Sequence, residues 1–367
     1  MNTRFSLRLR PFSVSKPYRS YATVEPSMLV ANPPPPPDDQ LPGAAPPRDT
    51  GSRLDPIVLT HLAESPPSHR LSLPTIIHQY LHRSGHVLVD TLPYESTPRP
   101  DRRVPLSVAD SVHLVAHAVK EGDRSKVTVS SAFALHSPDR PDTQTLFVSC
   151  AHTLEEIRSS PLLVNTDAAS SPHPDVNSSR ASGSFVLTAA TAHDRQASAS
   201  DIGAVPATVT PVSSILSALH RSDLLLFSAS VAVRTLPVSP YPAQPGARIR
   251  AHLVSETKPV GRAGDGWVPW VGGWAKWVCG RVLGYRDFAG REAQPGTYDS
   301  LSHMLFEPHP TPGSSGGPVV DQETGAVVGI MLGTRMDSEV NGVRGWGVPS
   351  EMIYEMFSLP GIKPKGL

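Results

Sequence analysis

One serine of this chain lies in a setting that suits a nucleophile. Ser315 stands in the segment PGSSGGPVV, after Gly313 and before Gly316 and Gly317. A serine hydroxyl is a weak nucleophile, so it needs a histidine to take its proton, a carboxylate to orient that histidine, and N–H groups to hold the oxyanion. Gly313 lets the backbone turn so that its own N–H and that of Ser315 can point at one spot. The later glycines keep side chains away from an incoming carbonyl group, so the segment predicts acyl-transfer chemistry at Ser315.

The segments around this serine read as short strands rather than as a flexible linker. A Gly-Ser-Ser-Gly-Gly string is common in linkers, but here it leads directly into the apolar runs PVV and AVVGI. From Lys126 onward, short apolar runs with a period of two alternate with turn residues, which is typical of a sandwich or a barrel. The runs are KVTVSSAFAL, TLFVSC, GSFVLTAAT, ATVTPV, DLLLFSA, ARIRAHLV, WVCGRVLGY, PVVD, AVVGIML and GWGVP. PSEMIYEMF, near the end of the chain, predicts a closing helix.

These motifs resemble those of chymotrypsin-fold serine proteases, whose active serine lies in Gly-x-Ser-Gly-Gly-Pro. In that family the histidine follows a strand in an Ala-Ala-His-like motif, similar to TLFVSCAH, which ends at His152. The family's aspartate begins a strand reading Asp-Ile-Ala-Leu-Leu, similar to DLLLFSA, which begins at Asp223. The resemblance implies that His152 is the general base and acid, that Asp223 fixes its tautomer, and that Ser315 attacks the substrate. It also implies that the N–H groups of Gly313 and Ser315 form the oxyanion hole.

The C-terminal part of the chain resembles the Deg-type, or high-temperature-requirement, branch of this family. There a Val-Ile-Gly-Ile strand is followed by a Gly-Phe-Ala-Val-Pro strand and a helix, similar to AVVGIMLG and then VRGWGVPSEMI. The resemblance covers Ser125 to Phe357 and implies an all-β protein of two packed antiparallel β-barrels with a C-terminal helix. Members of the branch often carry a PDZ domain, for which we expect no room after Phe357.

The region before the strands predicts a different organisation. ANPPPPPDDQLPGAAPPRDTGS is a proline-rich spacer, and SLPTIIHQYLHRSG predicts a short helix closed by Gly85. In LSVADSVHLVAHAVKEGD, apolar residues recur at helical spacing up to Gly122, which predicts a second helix. The predicted layout is a mitochondrial presequence at 1–21, a disordered linker at 22–55, an extension with short helices at 56–122, the protease domain at 123–358 and a tail at 359–367.

Histidines recur at intervals of four in both predicted helices, but we expect no metal and no cofactor. Gly85 interrupts the first helix before the third histidine of its series, and no acidic residue lies among them. The second pair lacks the glutamate of a zinc-protease motif. The histidines concerned are His78, His82, His86, His113 and His117.

Composition narrows the classes of partner. The chain has 33 basic and 33 acidic residues, so no net charge steers it toward nucleic acid or an anionic membrane. The two cysteines, Cys150 and Cys279, do not make a disulfide framework, and a reducing compartment is favoured. No apolar stretch is long enough for a transmembrane helix. Polypeptide substrates are expected, and a homo-oligomer stays open.

The first residues predict targeting. MNTRFSLRLRPFSVSKPYRSYATV is rich in arginine and serine and has no acidic residue before Glu25, which is typical of a mitochondrial presequence. RSYAT resembles a matrix-peptidase site with cleavage between Tyr21 and Ala22. We therefore expect a mitochondrial protein, in the matrix; the alternative is a disordered basic tail.

The resemblance also bears on specificity and activation. It implies a substrate pocket that includes His309 and Gly333, and the lack of an acid at His309 predicts a neutral or apolar residue before the scissile bond. Secreted relatives bury a new N-terminal ammonium against an aspartate just before the active serine. Here that position is Ser314, which offers no counter-ion, so we expect activity without internal proteolysis. The active loop would then be ordered by its own hydrogen bonds, by neighbouring loops or by oligomer contacts.

Two features leave alternatives. Four tryptophans could form an apolar stripe that binds a partner or a membrane: Trp267, Trp270, Trp274 and Trp277. The glycines among them favour a locally packed loop instead. The whole chain could also be a non-catalytic adaptor that keeps the protease fold to bind peptides. A third interpretation is a hydrolase of small esters, but the sequence has no Gly-x-Ser-x-Gly elbow in an α/β setting, which the usual esterase fold requires.

Overall fold

Two closed six-stranded antiparallel barrels form most of the structure, a computed structural model. It describes residues 54–105, 111–141, 144–164, 180–189, 207–260, 265–338 and 342–359. The predicted presequence and nearly all of the predicted linker lie outside these residues. The predicted all-β double barrel is confirmed.

The N-terminal extension contributes two helices and a strand: α1 (Leu54–Glu64), α2 (Leu73–His82) and β1 (Leu88–Thr91). The helix predicted from SLPTIIHQYLHRSG is thus confirmed. It begins where the Ser72 hydroxyl accepts a hydrogen bond from the Thr75 N–H, which satisfies one free donor of the first turn. It ends just before Gly85, whose φ of +68° suits a residue without a side chain.

The first barrel closes when its last strand pairs with its first. Around the barrel the order is β2, β5, β6, β7, β4 and β3, and β3 pairs again with β2. Two short helices leave the end of β4, and a two-residue strand, β8, adds to β3. The bounds are β2 (His113–Glu121), β3 (Arg124–Leu135), β4 (Thr145–Cys150), α3 (His152–Arg158), α4 (Pro161–Val164), β5 (Ala181–Ala189), β6 (Ala207–Leu219), β7 (Leu224–Ala229) and β8 (Thr235–Leu236).

The second barrel has the same closed form. Its order is β9, β11, β13, β16, β15 and β14, and β14 pairs again with β9, while the short strands β10 and β12 pair with β11. The predicted C-terminal helix is present but has one turn only. The bounds are β9 (Arg248–Ser255), β10 (Val268–Trp270), β11 (Gly273–Arg286), β12 (Glu292–Ala293), β13 (His303–Phe306), β14 (Pro318–Asp321), β15 (Val327–Ser338), β16 (Gly342–Pro349), α5 (Glu351–Tyr354) and β17 (Phe357–Ser358).

The extension packs into the core of the two barrels. Val58 of α1, Ile76 of α2 and Leu88 of β1 are all buried, each in a different hydrophobic cluster shared with barrel residues. β1 also pairs in parallel with β17, at the other end of the described chain. Residues 51–367 accordingly form one compact unit.

The helix predicted to end at Gly122 is wrong, because most of that segment is the strand β2. Leu114 packs in the cluster that includes α1, whereas Val115 packs in the cluster that includes α2. Since both faces of β2 are covered, apolar residues occupy successive positions, and the alternation that marks a half-exposed strand is lost. β2 lies before the domain start predicted at residue 123, so the first barrel includes part of the predicted extension.

The four-tryptophan segment is a packed hairpin made by β10 and β11. Trp270 is 1% exposed, which confirms the locally packed reading for that residue. The His252 ring lies edge-to-face against Trp270 and Trp277, with ring centroids 5.0 and 5.1 Å apart. His113 of β2 lies close enough to His252 to interact with it electrostatically, and neither histidine has a hydrogen-bond partner among the described residues.

These buried imidazoles predict loss of stability in acid. Burial lowers the pKa of His113 and His117 to about 4, and burial together with His113 lowers that of His252 to about 3. Because the unfolded chain takes up protons near pH 6.5 while these folded groups do not, stability is full above that pH and falls as pH drops toward 4. Each of the three histidines should lower the free energy of unfolding by about 2 kcal/mol at pH 5.

Urea unfolding of wild type and His252→Phe at pH 7.5 and pH 5 measures this effect. We expect His252→Phe to lose less stability between the two pH values than wild type. His78→Phe is the matched control, since His78 lies exposed on α2. Equal pH dependence in wild type and His252→Phe would contradict the assignment.

Candidate active site

The structure brings His152 and Asp223 into direct contact. β4 and β7 are antiparallel neighbours with Cys150 opposite Leu224, so the residues just beyond these strand ends meet. The His152 Nδ1–H donates to Asp223 Oδ2 at 2.6 Å, and Asp223 Oδ1 accepts the Ala151 N–H at 3.0 Å. Asp223 has a left-handed backbone, with φ of +54°, at the turn into β7. With Nδ1 carrying the hydrogen, Nε2 of the neutral ring is left as the proton acceptor.

The surroundings of His152 favour its charged form. Burial lowers the pKa of His152, but hydrogen bonds to Asp223 and Cys150, together with the charges of these two groups, outweigh burial and raise the pKa above its usual value. The side chains of His152 and Asp223 remain 42% and 28% exposed. The ring is therefore open to solvent on one side and held by the carboxylate on the other.

Ser315 lies in a tight loop between the second barrel and the first. Its carbonyl accepts the Ser131 N–H of β3 at 2.8 Å, and the following Gly316 N–H donates to Met331 of β15 at 2.7 Å. A Cβ on Gly316 would come within 2.2 Å of the Ser131 carbonyl oxygen and 2.8 Å of the Cys150 nitrogen. Only glycine fits there, and its absence of a side chain lets the serine loop approach the strand that leads to His152.

The N–H groups of Gly313 and Ser315 both remain available. Neither donates a hydrogen bond to any residue within the described part of the chain. Gly313 has φ of +84°, which favours glycine. Free donors beside a serine are the arrangement that an oxyanion hole requires.

Ser315 and His152 have other hydrogen-bond partners in this structure. The Ser315 hydroxyl donates to the Leu332 carbonyl at 2.9 Å. His152 Nε2 faces the buried Cys150 thiol, with Sγ at 3.6 Å. No hydrogen bond joins Ser315 to His152 among the described residues, and transfer of the serine proton to Nε2 would require the hydroxyl to turn.

The residues predicted for the substrate pocket lie on β15 and in the loop after β13. Gly333 follows Leu332 on β15, has φ of +151°, and a Cβ there would meet nothing within 4 Å. His309 is exposed, six residues before Ser315. Trp346, which the sequence did not single out, lies opposite Gly333 in the register of β15 and β16. It stacks on His303, with ring centroids 4.3 Å apart.

Sequence reasoning missed the groups that support the loop. Ser131 uses both its N–H and its hydroxyl, which donates to the Gly313 carbonyl at 2.8 Å. Nothing in the run KVTVSSAFAL marks this serine, because strand serines commonly face solvent. Cys150 stood inside the motif TLFVSCAH, but only its two-residue distance from His152 could have indicated a contact.

Other expected features can be compared with the structure. The rings of His78 and His82 lie side by side on α2, tilted by 39° with centroids 4.1 Å apart. Within the described ranges, no group of three or more His, Cys, Asp or Glu side chains is placed to hold a metal ion. No helix in these ranges has the length and apolar character needed to cross a membrane.

A family profile matches the chain over residues 131–330, under the description "Trypsin-like peptidase domain". The match spans more than half of the chain and contains His152, Asp223 and Ser315. The chain therefore belongs to the trypsin-like peptidase family, as the sequence predicted. A search of curated proteins found no match.

Solved structures with a similar fold include the MamO protease domain from Magnetospirillum magneticum, at 13% identity and a TM-score of 0.37, covering 67% of this chain and 95% of that one. The Rv3671c protease from M. tuberculosis, in its active form, is 15% identical with a TM-score of 0.37, covering 76% and 95%. The serine endoprotease from Yersinia pestis is 12% identical with a TM-score of 0.35, covering 69% and 61%.

The contact with Cys150 predicts how His152 titrates. Because the Cys150 sulfur stabilises the charged ring by accepting from Nε2–H and so helps to raise the pKa of His152, Cys150→Ala should lower that pKa and extend the neutral, proton-accepting ring to lower pH. We expect the ring-nitrogen signals of His152, followed by NMR against pH, to shift their midpoint downward in Cys150→Ala. Cys279→Ala is the matched control, since Cys279 is exposed. An unchanged midpoint in Cys150→Ala would show that the thiol does not act on the ring.

Proposed function

We propose that this chain is a serine endopeptidase that cleaves polypeptides through an acyl-enzyme formed on Ser315. The observation that carries the proposal is the 2.6 Å hydrogen bond between His152 and Asp223, at strand ends that the Ser315 loop contacts. Membership of the trypsin-like peptidase family supports the same chemistry. Polypeptides are the substrate class that this family implies.

Four residues take part in the proposed reaction. Ser315 Oγ attacks the scissile carbonyl carbon while His152 Nε2 takes the hydroxyl proton. The electron pair of the carbonyl moves to its oxygen, and the N–H groups of Gly313 and Ser315 stabilise that oxyanion. His152 then returns the proton to the leaving amine, and water hydrolyses the acyl-enzyme by the same steps in reverse order. Asp223 keeps Nδ1 protonated and stabilises the imidazolium that forms.

Substrate binding must rearrange two hydrogen bonds before this reaction begins. The Ser315 hydroxyl has to leave the Leu332 carbonyl, and His152 Nε2 has to leave the Cys150 thiol. Catalytic hydrogen bonds commonly tighten only in the complex with substrate. Rotation of one hydroxyl is a small change, because a serine side chain moves between staggered rotamers. The pocket is proposed to take a neutral or apolar residue, since His309 supplies no carboxylate.

Labelling with a fluorophosphonate probe tests the proposed nucleophile. We expect covalent modification of Ser315, slow hydrolysis of peptides, and loss of labelling in Ser315→Ala. Asp223→Asn should lower the turnover rate by roughly 10⁴-fold, because His152 then adopts the wrong tautomer. Ser300→Ala, at an exposed serine, is the matched control and should label as wild type does.

The result also separates the proposal from its main alternative. A non-catalytic adaptor would leave wild type and Ser315→Ala equally unlabelled while peptide binding persists. Equal labelling of the two proteins would place the reactive group elsewhere. Either outcome would overturn the assignment of Ser315.

We also propose that the protease works in mitochondria. Support comes from the N-terminal segment, which is rich in arginine and has no acidic residue before Glu25. This segment lies outside the described residues. A tagged full chain should reach mitochondria and lose about its first 21 residues, whereas a chain lacking residues 1–21 should stay in the cytosol. The new N-terminus is read by mass spectrometry of the imported protein. An unchanged mitochondrial signal after the deletion would contradict the presequence.

A further inference from the structure

The loop just before the nucleophile is a tight turn of defined type. The Ser314 N–H donates to the Thr311 carbonyl at 3.0 Å, which closes a four-residue turn. Gly313 is its third residue, with φ of +84°, and Pro312 is its second. Proline followed by glycine at these positions is the signature of a type II turn. In a type I turn the central peptide is reversed, so that its carbonyl would point where the Gly313 N–H now points.

Two hydroxyl groups close a ring of hydrogen bonds beneath this turn. Thr311 Oγ1 donates to the Val254 carbonyl at 2.6 Å, and the Val254 N–H donates to Ser314 Oγ at 2.9 Å. The two hydroxyls lie 2.8 Å apart. The single hydroxyl hydrogen of Thr311 is donated to the Val254 carbonyl. The Ser314 hydroxyl must therefore be the donor in its hydrogen bond with Thr311 Oγ1. Every polar atom in the ring then has a partner, and the turn is fixed to strand β9.

Ser314 is fully buried and its partners are neutral. Its relative exposure is 0%, and its hydroxyl contacts only Thr311 and Val254 among the described residues. The Ser314 carbonyl accepts the Gly317 N–H at 3.0 Å. A neutral hydroxyl with complete hydrogen bonding is tolerated in such a position, whereas an unpaired charge is costly.

Other backbone groups of the loop are bound by the first barrel. Ser131 of β3 binds the carbonyls of Gly313 and Ser315. The loop is therefore held by the second barrel on one side and by the first barrel on the other. Among the N–H groups of residues 313–317, those of Gly313 and Ser315 have no partner within the described structure, and the proposed function assigns both to the oxyanion.

We propose that Thr311 and Ser314 are positioning residues that keep the oxyanion loop in its anion-binding form without any charged partner. The inference rests on the proposed function, because it explains how the donors of that reaction are held. Thr311 and Ser314 do not touch the substrate; they fix the turn whose peptide presents the Gly313 N–H. The hydrogen-bond ring supplies the order that secreted relatives obtain from a buried ion pair, so the uncut chain is active.

Removing either hydroxyl should lower the rate of acylation with little effect on binding. We expect Ser314→Ala and Thr311→Val to lower kcat for p-nitrophenyl acetate by about 10²-fold, the order found when one oxyanion donor is lost. KM should stay within about threefold, because the pocket is unchanged. Thr311→Ser keeps the hydroxyl and is the matched control, with kcat within about threefold of wild type. Thermal unfolding of each variant shows whether a loss of kcat comes from misfolding. Because Ser314→Ala and Thr311→Val remove the two hydroxyls separately, the test still works if one of these variants fails to fold.

A second measurement tests the ring without any activity. In a Ser315→Ala background, amide hydrogen exchange at Val254 should be slow, and it should accelerate at least about tenfold when Ser314→Ala removes its acceptor. Faster exchange together with lower kcat supports the proposal. Full kcat in Ser314→Ala with Val254 still protected would overturn it. So would reactive protein that always begins at a fresh terminus just before Val127. A wild type that fails to acylate would instead overturn the proposed function, whatever the exchange result.

Discussion

The pairing of β4 with β7 is the constraint on which the candidate site depends. His152 and Asp223 are far apart in the chain, and only the register that places Cys150 opposite Leu224 brings their side chains together. All residues of both strands are buried, so a slip of one residue would turn apolar side chains to the wrong face as well as separate the pair. Core packing and active-site geometry are therefore fixed by the same register.

Neither barrel contains the whole site. The first barrel supplies the histidine and the aspartate. The second supplies the serine loop and the strand whose carbonyl accepts the hydrogen bond of the serine hydroxyl. A hydrophobic cluster joins them, with Val148 from β4 and Ile330 from β15 among its buried members. Ser131 adds polar contacts across the same junction. The distance between His152 and Ser315 is thus set by how the barrels pack, and the candidate site responds to changes in that packing.

Local signals in the sequence predicted some parts of this arrangement well. The serine turn follows from glycine and proline, whose backbone preferences act over a few residues, and most strands follow from their short apolar runs. His152 and Asp223 could be assigned only through the family resemblance, because neither motif predicts which strands pair with each other. β2 was misread since burial on both faces removed its alternation. Ser131 and Thr311 were missed because the partner of a hydroxyl group depends on contacts distant in sequence.

The parallel pairing of β1 with β17 has a consequence for the synthesis of the chain. Residues 88–91 find their strand partner only at residues 357 and 358, so every residue between the two segments must leave the ribosome before this pair can form. Until then Leu88 lacks the neighbours that Met356 and Phe357 provide in their common cluster. A chain that ends early would keep an apolar edge uncovered. β17 thus completes the packing of β1, so this part of the core can be covered only after both segments have been synthesised.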